Sequence, residues 1–203
     1  ASPRSNQSTI ESLASIIPLV LINRDIFGIP RVLIDSGQGM AEAVKHLANL
    51  GHKHIVYVSG PVQSWSNEQR QMSVEEAAKA LDIKLNVLSA GAASFSSGVN
   101  AVDELLALDV SACIAFDDVL AQGVCHGLEE RNVTVPRDFS VIGCDDIMGS
   151  PLLTTVSSPS KKAGQKSVEM LASSLLSNLS PDTRLVLDTH LLLRNTAGPI
   201  KIW

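Results

Sequence analysis

Short apolar runs, many of them β-branched, alternate along this chain with stretches in which apolar positions recur every three or four residues. The short runs, at residues 19–22, 32–34, 55–58, 113–116, 139–142, 185–187 and 191–193, predict strands. Between them, Met40, Ala43, Val44 and Leu47 share one helical face. Val74, Ala77, Ala78 and Leu81 share a second, and Val168, Leu171, Ala172 and Leu175 a third. Strands apolar on both faces, set between amphipathic helices, predict a mainly parallel sheet covered on both sides, an α/β doubly wound fold. The punctuation agrees. Ser96 or Ser97 is placed to cap the helix through Val102, Leu105 and Leu106, and Asp117 to cap the helix through Leu120, Val124 and Leu128. Gly51 and Asn132 suit helix ends.

Composition narrows the class. With 203 residues, 45% of them apolar and 18% charged, the chain can build one good-sized domain or two small lobes. No stretch approaches the roughly 20 apolar residues of a membrane span, and the polar start offers no apolar export segment, so a cytoplasmic setting is expected. A net charge of −5 argues against direct gripping of nucleic-acid phosphates. Cys113, Cys125 and Cys144 are odd in number and read as small buried hydrophobes of a reducing compartment.

In an open parallel sheet, ligands bind beyond the carboxyl ends of the strands. The residues that follow the apolar runs are Asn23, Arg24 and Asp25; Asp35; Ser59, Gly60 and Pro61; Asp117 and Asp118; and Asp145 and Asp146. Carboxylates, amides and a nearby guanidinium, Arg70, can hold two hydrogen bonds at once and suit the paired hydroxyls of a polyol. Each Asp between strand and helix can equally be a helix cap, so both readings stand open for each residue alone. A magnesium site for sugar-phosphate chemistry on Asp117, Asp118, Asp145 and Asp146 is the best enzymatic alternative, but the Lys and Ser/Thr usual at phosphate sites are missing. No Walker loop, G-x-G-x-x-G or G-x-S-x-G is present. Ser158-Pro159-Ser160-Lys161 matches S-x-x-K without its companion motifs, and His52-Lys53-His54 lacks further ligands at metal spacing and reads as a surface or helix-end group.

Several runs together resemble the lactose/galactose-repressor family of transcription regulators. They are residues 46–55, followed by Ser59-Gly60-Pro61 with Ser66 and Arg70; Ala115-Phe116-Asp117-Asp118-Val119-Leu120-Ala121-Gln122-Gly123; Val135-Pro136-Arg137-Asp138 leading to Gly143-Cys144-Asp145-Asp146; Pro151-Leu152-Leu153-Thr154-Thr155; and Leu193-Arg194-Asn195-Thr196. The matches run in order from about Pro18 to Pro199. The resemblance implies a two-lobed periplasmic-binding-protein-like fold, each lobe a doubly wound mainly parallel sheet. Residues 1–35 and 160–183 form an N-terminal lobe, and residues 36–159 and 184–203 a C-terminal lobe. Crossovers are expected near Asp35, near residues 159–161 and near residues 181–184. Ser2 to Ser5 look like the end of a strand partway into the first lobe. That lobe is expected to be incomplete, with about two strands and two helices, and the helix-turn-helix head to be absent.

The resemblance also implies an effector in the interlobe cleft, a sugar or another small polar metabolite, with no cofactor. Arg70 would present a bidentate donor fork, Asp145 would accept from paired hydroxyls, Asp117 would add contacts, and Ser66 and Asn23 would line the cleft. Asp117 stands where the family usually has Asn. The family's aromatic before the Gly98 helix falls on Ala93, which leaves Trp65, Phe95 or the missing part of the first lobe to stack on a sugar face. A homodimer with contacts in residues 151–156 is expected, and operator DNA only through the absent head. The runner-up is an exported sugar-binding protein of an uptake system, which shares the fold.

Overall fold

The computed structural model describes residues 6–176 and 179–200; the segment Ser2 to Ser5 and residues 201–203 lie outside them. Its elements run α1 (Gln7–Ala14), β1 (Leu21–Ile22), β2 (Arg31–Asp35), α2 (Gly37–Asn49), β3 (His54–Ser59), α3 (Trp65–Ala80), β4 (Lys84–Ser89), α4 (Phe95–Ala107), β5 (Ala112–Ala115), α5 (Asp118–Glu130), β6 (Ser140–Cys144), β7 (Thr155–Val156), α6 (Ser160–Leu175), β8 (Arg184–Asp188) and β9 (Leu191–Leu192). The strands form two sheets. One has the order β4-β3-β5-β6-β7-β9, parallel except for the antiparallel β7–β9 pair, and the other is a parallel β1-β2-β8 sheet.

The apolar pattern explains this layout. Strands β3, β5 and β6 are buried along nearly their whole length, as strands must be when helices cover both faces. They build one large core with the inner faces of α2, α3, α4 and α5, including Met40, Leu47, Val74, Val102, Leu105, Leu120 and Leu128. The smaller sheet has its own cores: Val32, Ile34 and Leu187 meet Ala163 and Met170 of α6, while Ile10 of α1 meets Leu21, Ile26 and Ile29. Cys113 and Cys144 are buried free thiols; Cys125 is half-buried, and its surroundings push the thiol up to about 12.

Two expectations need correction here. Strand β8 pairs along its full length with β2, from Arg31 opposite Arg184 to Asp35 opposite Asp188, so residues 184–188 belong to the smaller lobe. The third crossover therefore falls between β8 and β9, not near residues 181–184. Pairing with a distant strand decides this, and local hydropathy cannot reveal it. The three crossovers lie side by side: Thr189 Oγ1 donates to the Asp35 carbonyl at 3.0 Å, and the Ser157 amide donates to the His190 carbonyl at 2.8 Å. Second, His52 stands at the end of α2 but is not a surface group: it is buried, bonded to Ser111 Oγ at 2.7 Å and the Gly198 carbonyl at 3.0 Å, and ties the segment after β9 to the core.

Candidate functional site

In the larger sheet the strand order reverses at β3: the chain steps outward to β4, then returns to lay β5 on the other side. A parallel sheet opens a crevice at such a switch point, beyond the carboxyl ends of the two central strands. Ser59 and Gly60 leave β3 there, Phe116 and Asp117 leave β5, and Asp145 leaves β6.

Arg70, on α3, is the centre of what collects in that crevice. It is only 4% exposed. Its Nη2 donates to Asp145 Oδ1 at 2.6 Å and its Nη1 to Asp145 Oδ2 at 3.3 Å. Nη1 also donates to the Phe116 carbonyl at 2.6 Å, and Nε to Ser36 Oγ at 3.4 Å. Burial disfavours the charge, yet Cys144 and Asp145 beside it hold the guanidinium above its ordinary pKa. A guanidinium has five N–H donors. With four bonds made inside the protein, the expected open fork toward a ligand is not what the structure shows: the fork is closed on Asp145, and one Nη2 hydrogen remains.

Asp145 is thereby presented to the crevice. Its side chain is 32% exposed, and its backbone has φ +106°, a conformation that disfavours any residue but glycine. Asp117 caps α5 through a 2.8 Å bond from the Leu120 amide, as the sequence predicts. Burial pushes its carboxyl above the ordinary value, and nearby Asp145 adds to this against the Leu120 amide and Arg70. Asp118, by contrast, points into the protein. It accepts from Thr155 Oγ1 at 2.5 Å and from the Ile147 amide at 2.8 Å, and burial pushes it up to about 6. Asp146 pairs with Arg194 at 2.6 Å. The four carboxylates thus serve separate partners, and among the described residues no group of three or more His, Cys, Asp or Glu gathers at metal distance.

The structure brings Arg70, Asp145 and Asp117 together. Asn23 lies in the smaller sheet, at the carboxyl end of β1, with φ +52° and its Oδ1 accepting from the Ile34 amide at 2.9 Å. Trp65 and Ser66 open α3, half-buried, one turn before Arg70. Phe95 does not join the site: it packs on His126 of α5 with ring centroids 5.4 Å apart, in the α4–α5 seam. The aromatic at the crevice is Phe116, whose ring carries the Arg70 guanidinium 4.8 Å from its centroid. Sequence reading took Phe116 as the last apolar residue of a strand, and only its place just after β5 could have nominated it.

The known proteins that this chain resembles agree with the architecture. A profile described as "Periplasmic binding protein-like domain" matches residues 44–197. The HTH-type transcriptional regulator DegA of Bacillus subtilis is 31% identical over 207 aligned residues, covering 96% of this chain and 61% of the relative's length. A LacI transcriptional regulator from a Rhodococcus species superposes with a TM-score of 0.89 at 27% identity, covering 97% of this chain and 76% of that one. A LacI family regulator from Enterococcus faecalis with bound ribose gives 0.86 at 27% identity, covering 99% and 76%. This chain spans about three-fifths of the length of DegA.

Proposed function

We propose that this chain, which belongs to the lactose/galactose-repressor (LacI) family through its periplasmic-binding-protein-like domain, is the ligand-sensing part of a bacterial transcription regulator. The observation that carries the reading is Asp145: a part-exposed carboxylate, held by a buried arginine in a strained backbone, at the sheet's switch point. An ionised carboxylate only accepts, so its partner in a ligand must donate, and paired hydroxyls of a sugar or similar polar metabolite do so. The neighbour with bound ribose supports that class. Asn23, Ser66 and Trp65 are then the second rank of contacts around Asp145, Asp117 and Arg70.

The route from ligand to output runs through Ser36. Its hydroxyl accepts from Arg70, and its backbone follows Asp35 at the first crossover. A ligand that binds one lobe closure better than another shifts the population by that difference in affinity and no more. DNA would be met by a helix-turn-helix head beyond this chain, whose own net charge of −5 suits a sensor rather than a phosphate-binding surface. The regulators among its relatives favour a cytoplasmic, non-catalytic role over an exported binding protein. No helix of the described residues is long and apolar enough to cross a membrane.

Self-association completes the reading. A surface recess of about 780 Å³ lies between α5, at Cys125 and His126, and the segment carrying Pro151 and Leu152. Leu153 to Val156 are buried in the chain's own core, so of the expected 151–156 contact region only Pro151 and Leu152 are available to a second copy. Fluorescence anisotropy of the intact regulator on its operator tests the function. A sugar should change operator affinity tenfold or more, and Asp145→Ala should abolish that response while sugar-free operator binding persists. Operator affinity indifferent to every sugar would overturn it.

A further inference from the structure

Asp145 leaves β6 in a backbone conformation that its side chain does not favour, and Asp146 follows it with φ +49°. Two successive residues with positive φ, neither of them glycine, persist only where the structure around them fixes the backbone. The sheet fixes the first. The Asp145 amide donates to the Val156 carbonyl at 2.9 Å, which carries the pairing of β6 with β7 one step further. Beyond that point the turn leaves the sheet, and two side chains hold it. Asp118 Oδ2 accepts from the Ile147 amide at 2.8 Å. Arg194 Nη2 donates to Asp146 Oδ1 at 2.6 Å, while its Nη1 donates to the Leu153 carbonyl at 3.1 Å.

Asp118 is seated for this task. It is 0% exposed, and its Oδ1 accepts from Thr155 Oγ1 of β7, so one carboxylate spans both the turn and the neighbouring strand. Strand β6 makes room for it. A Cβ at Gly143 would lie 2.3 Å from Asp118 Oδ1 and 2.8 Å from the Leu153 side chain. Burying a carboxylate is costly, and what this one supplies is two acceptor oxygens at a fixed spacing. The first residues of α5 therefore divide their work: the Asp117 carboxylate lies at the crevice, and the Asp118 carboxylate fixes the turn that brings Asp145 to it.

We propose that Asp118 is a positioning residue for effector recognition, with Arg194 as its partner: together they hold the 145–147 turn so that the Asp145 carboxylate meets both the Arg70 fork and the ligand in register. Both residues act through Asp145, and the proposal rests on the polyol reading of that carboxylate. Asp118→Ala removes both acceptors. Asp118→Asn can keep both contacts, because its oxygen accepts from Ile147 and its amide donates to Thr155 Oγ1, whose own hydrogen can turn to the Val156 carbonyl 3.4 Å away. Calorimetric titration of a sugar panel into the full chain and its variants, at a temperature where they are folded, reads the ligand side. NMR of the Arg70 guanidinium N–H groups without sugar reads the placement of Asp145.

For a sugar that the parent binds, Asp118→Ala should bind about tenfold more weakly or worse, and Asp118→Asn should regain most of that loss. Arg194→Met, which keeps the apolar stem, should weaken binding about threefold or more, and it decides the matter where Asp118→Ala fails to fold. The Arg70 signals should move in Asp118→Ala and Arg194→Met and stay near the parent's in Asp118→Asn. A brace that served stability alone would lower the melting midpoint of Asp118→Ala yet leave sugar affinity and the Arg70 signals where they were, and that result overturns the proposal. Equal losses in the Ala and Asn variants overturn it too, since the role assigned to Asp118 is acceptance and not charge. Sugar affinity unchanged by Asp145→Ala overturns the polyol reading instead, and the Arg70 signals then decide whether Asp118 positions Asp145.

Discussion

Asp145 holds a backbone conformation, φ +106°, that costs a non-glycine residue on the order of 1–3 kcal/mol. Its ion pair with Arg70 offsets that cost, because a guanidinium 4% exposed cannot recover water when its carboxylate is removed. Asp145→Ala leaves that guanidinium buried and without its carboxylate. The closed fork predicts a loss of about 2–4 kcal/mol, seen as a lower urea midpoint at unchanged slope. An unaltered midpoint would mean that water already reaches the guanidinium. Asp118 gives a second, pH-resolved prediction. Its carboxyl titrates near 6 in the folded chain against an ordinary 3.8, so between about pH 4 and 6 the folded state binds more protons than the unfolded state. The ionised form is the burdened one: stability from this group is highest below about pH 4 and falls as pH rises through 6, by up to about 3 kcal/mol. Urea denaturation from pH 4 to 7 should show the decline in the parent chain and a flatter profile in Asp118→Asn. Identical profiles would place the titration elsewhere.

Helices α4 and α5 pack backbone to backbone where Gly98 and Gly123 face each other. A Cβ at Gly123 would lie 2.0 Å from the Phe95 carbonyl oxygen, which no rotamer change can relieve. Gly123→Ala should therefore force the helices apart and cost about 1–3 kcal/mol, with a drop in thermal midpoint as the measurement. At this scale the sequence was readable wherever burial was two-sided. Strands β3, β5 and β6 announce themselves as apolar runs, and Asp117 caps α5 as its place before Leu120 implies. Strand β4 was not seen because it is an edge strand, KLNVLS, with one fully buried residue and no apolar run. Strand β7 is two residues long, and helix α4 starts at Phe95, capped by Ser94 rather than Ser96 or Ser97. The site was half legible: Arg70, Asp117 and Asp145 sit where strand ends and resemblance put them. That Arg70 spends its donors on Asp145, Phe116 and Ser36, and that Phe116 replaces Phe95 as the available ring, depends on contacts between residues 34 to 75 positions apart.

As a whole, the molecule is two sheets joined by three adjacent crossovers, with the Arg70 cluster touching the first of them. Self-association should use the exposed face around Leu152 and Met148, which lie on the segment between β6 and β7. Leu152→Arg in the intact protein should convert a dimer to a monomer in sedimentation while sugar affinity holds. A dimer that survives this substitution would move the interface elsewhere. The central claim is that Asp145 receives the hydroxyls of a sugar-like effector. Calorimetric titration of a sugar panel into the parent chain and into Asp145→Ala tests it most directly, at a temperature where both are folded. The account predicts that a sugar bound by the parent loses about 2–4 kcal/mol of affinity in the variant, some 30-fold to nearly 1,000-fold. A sugar bound equally well by both chains would contradict it.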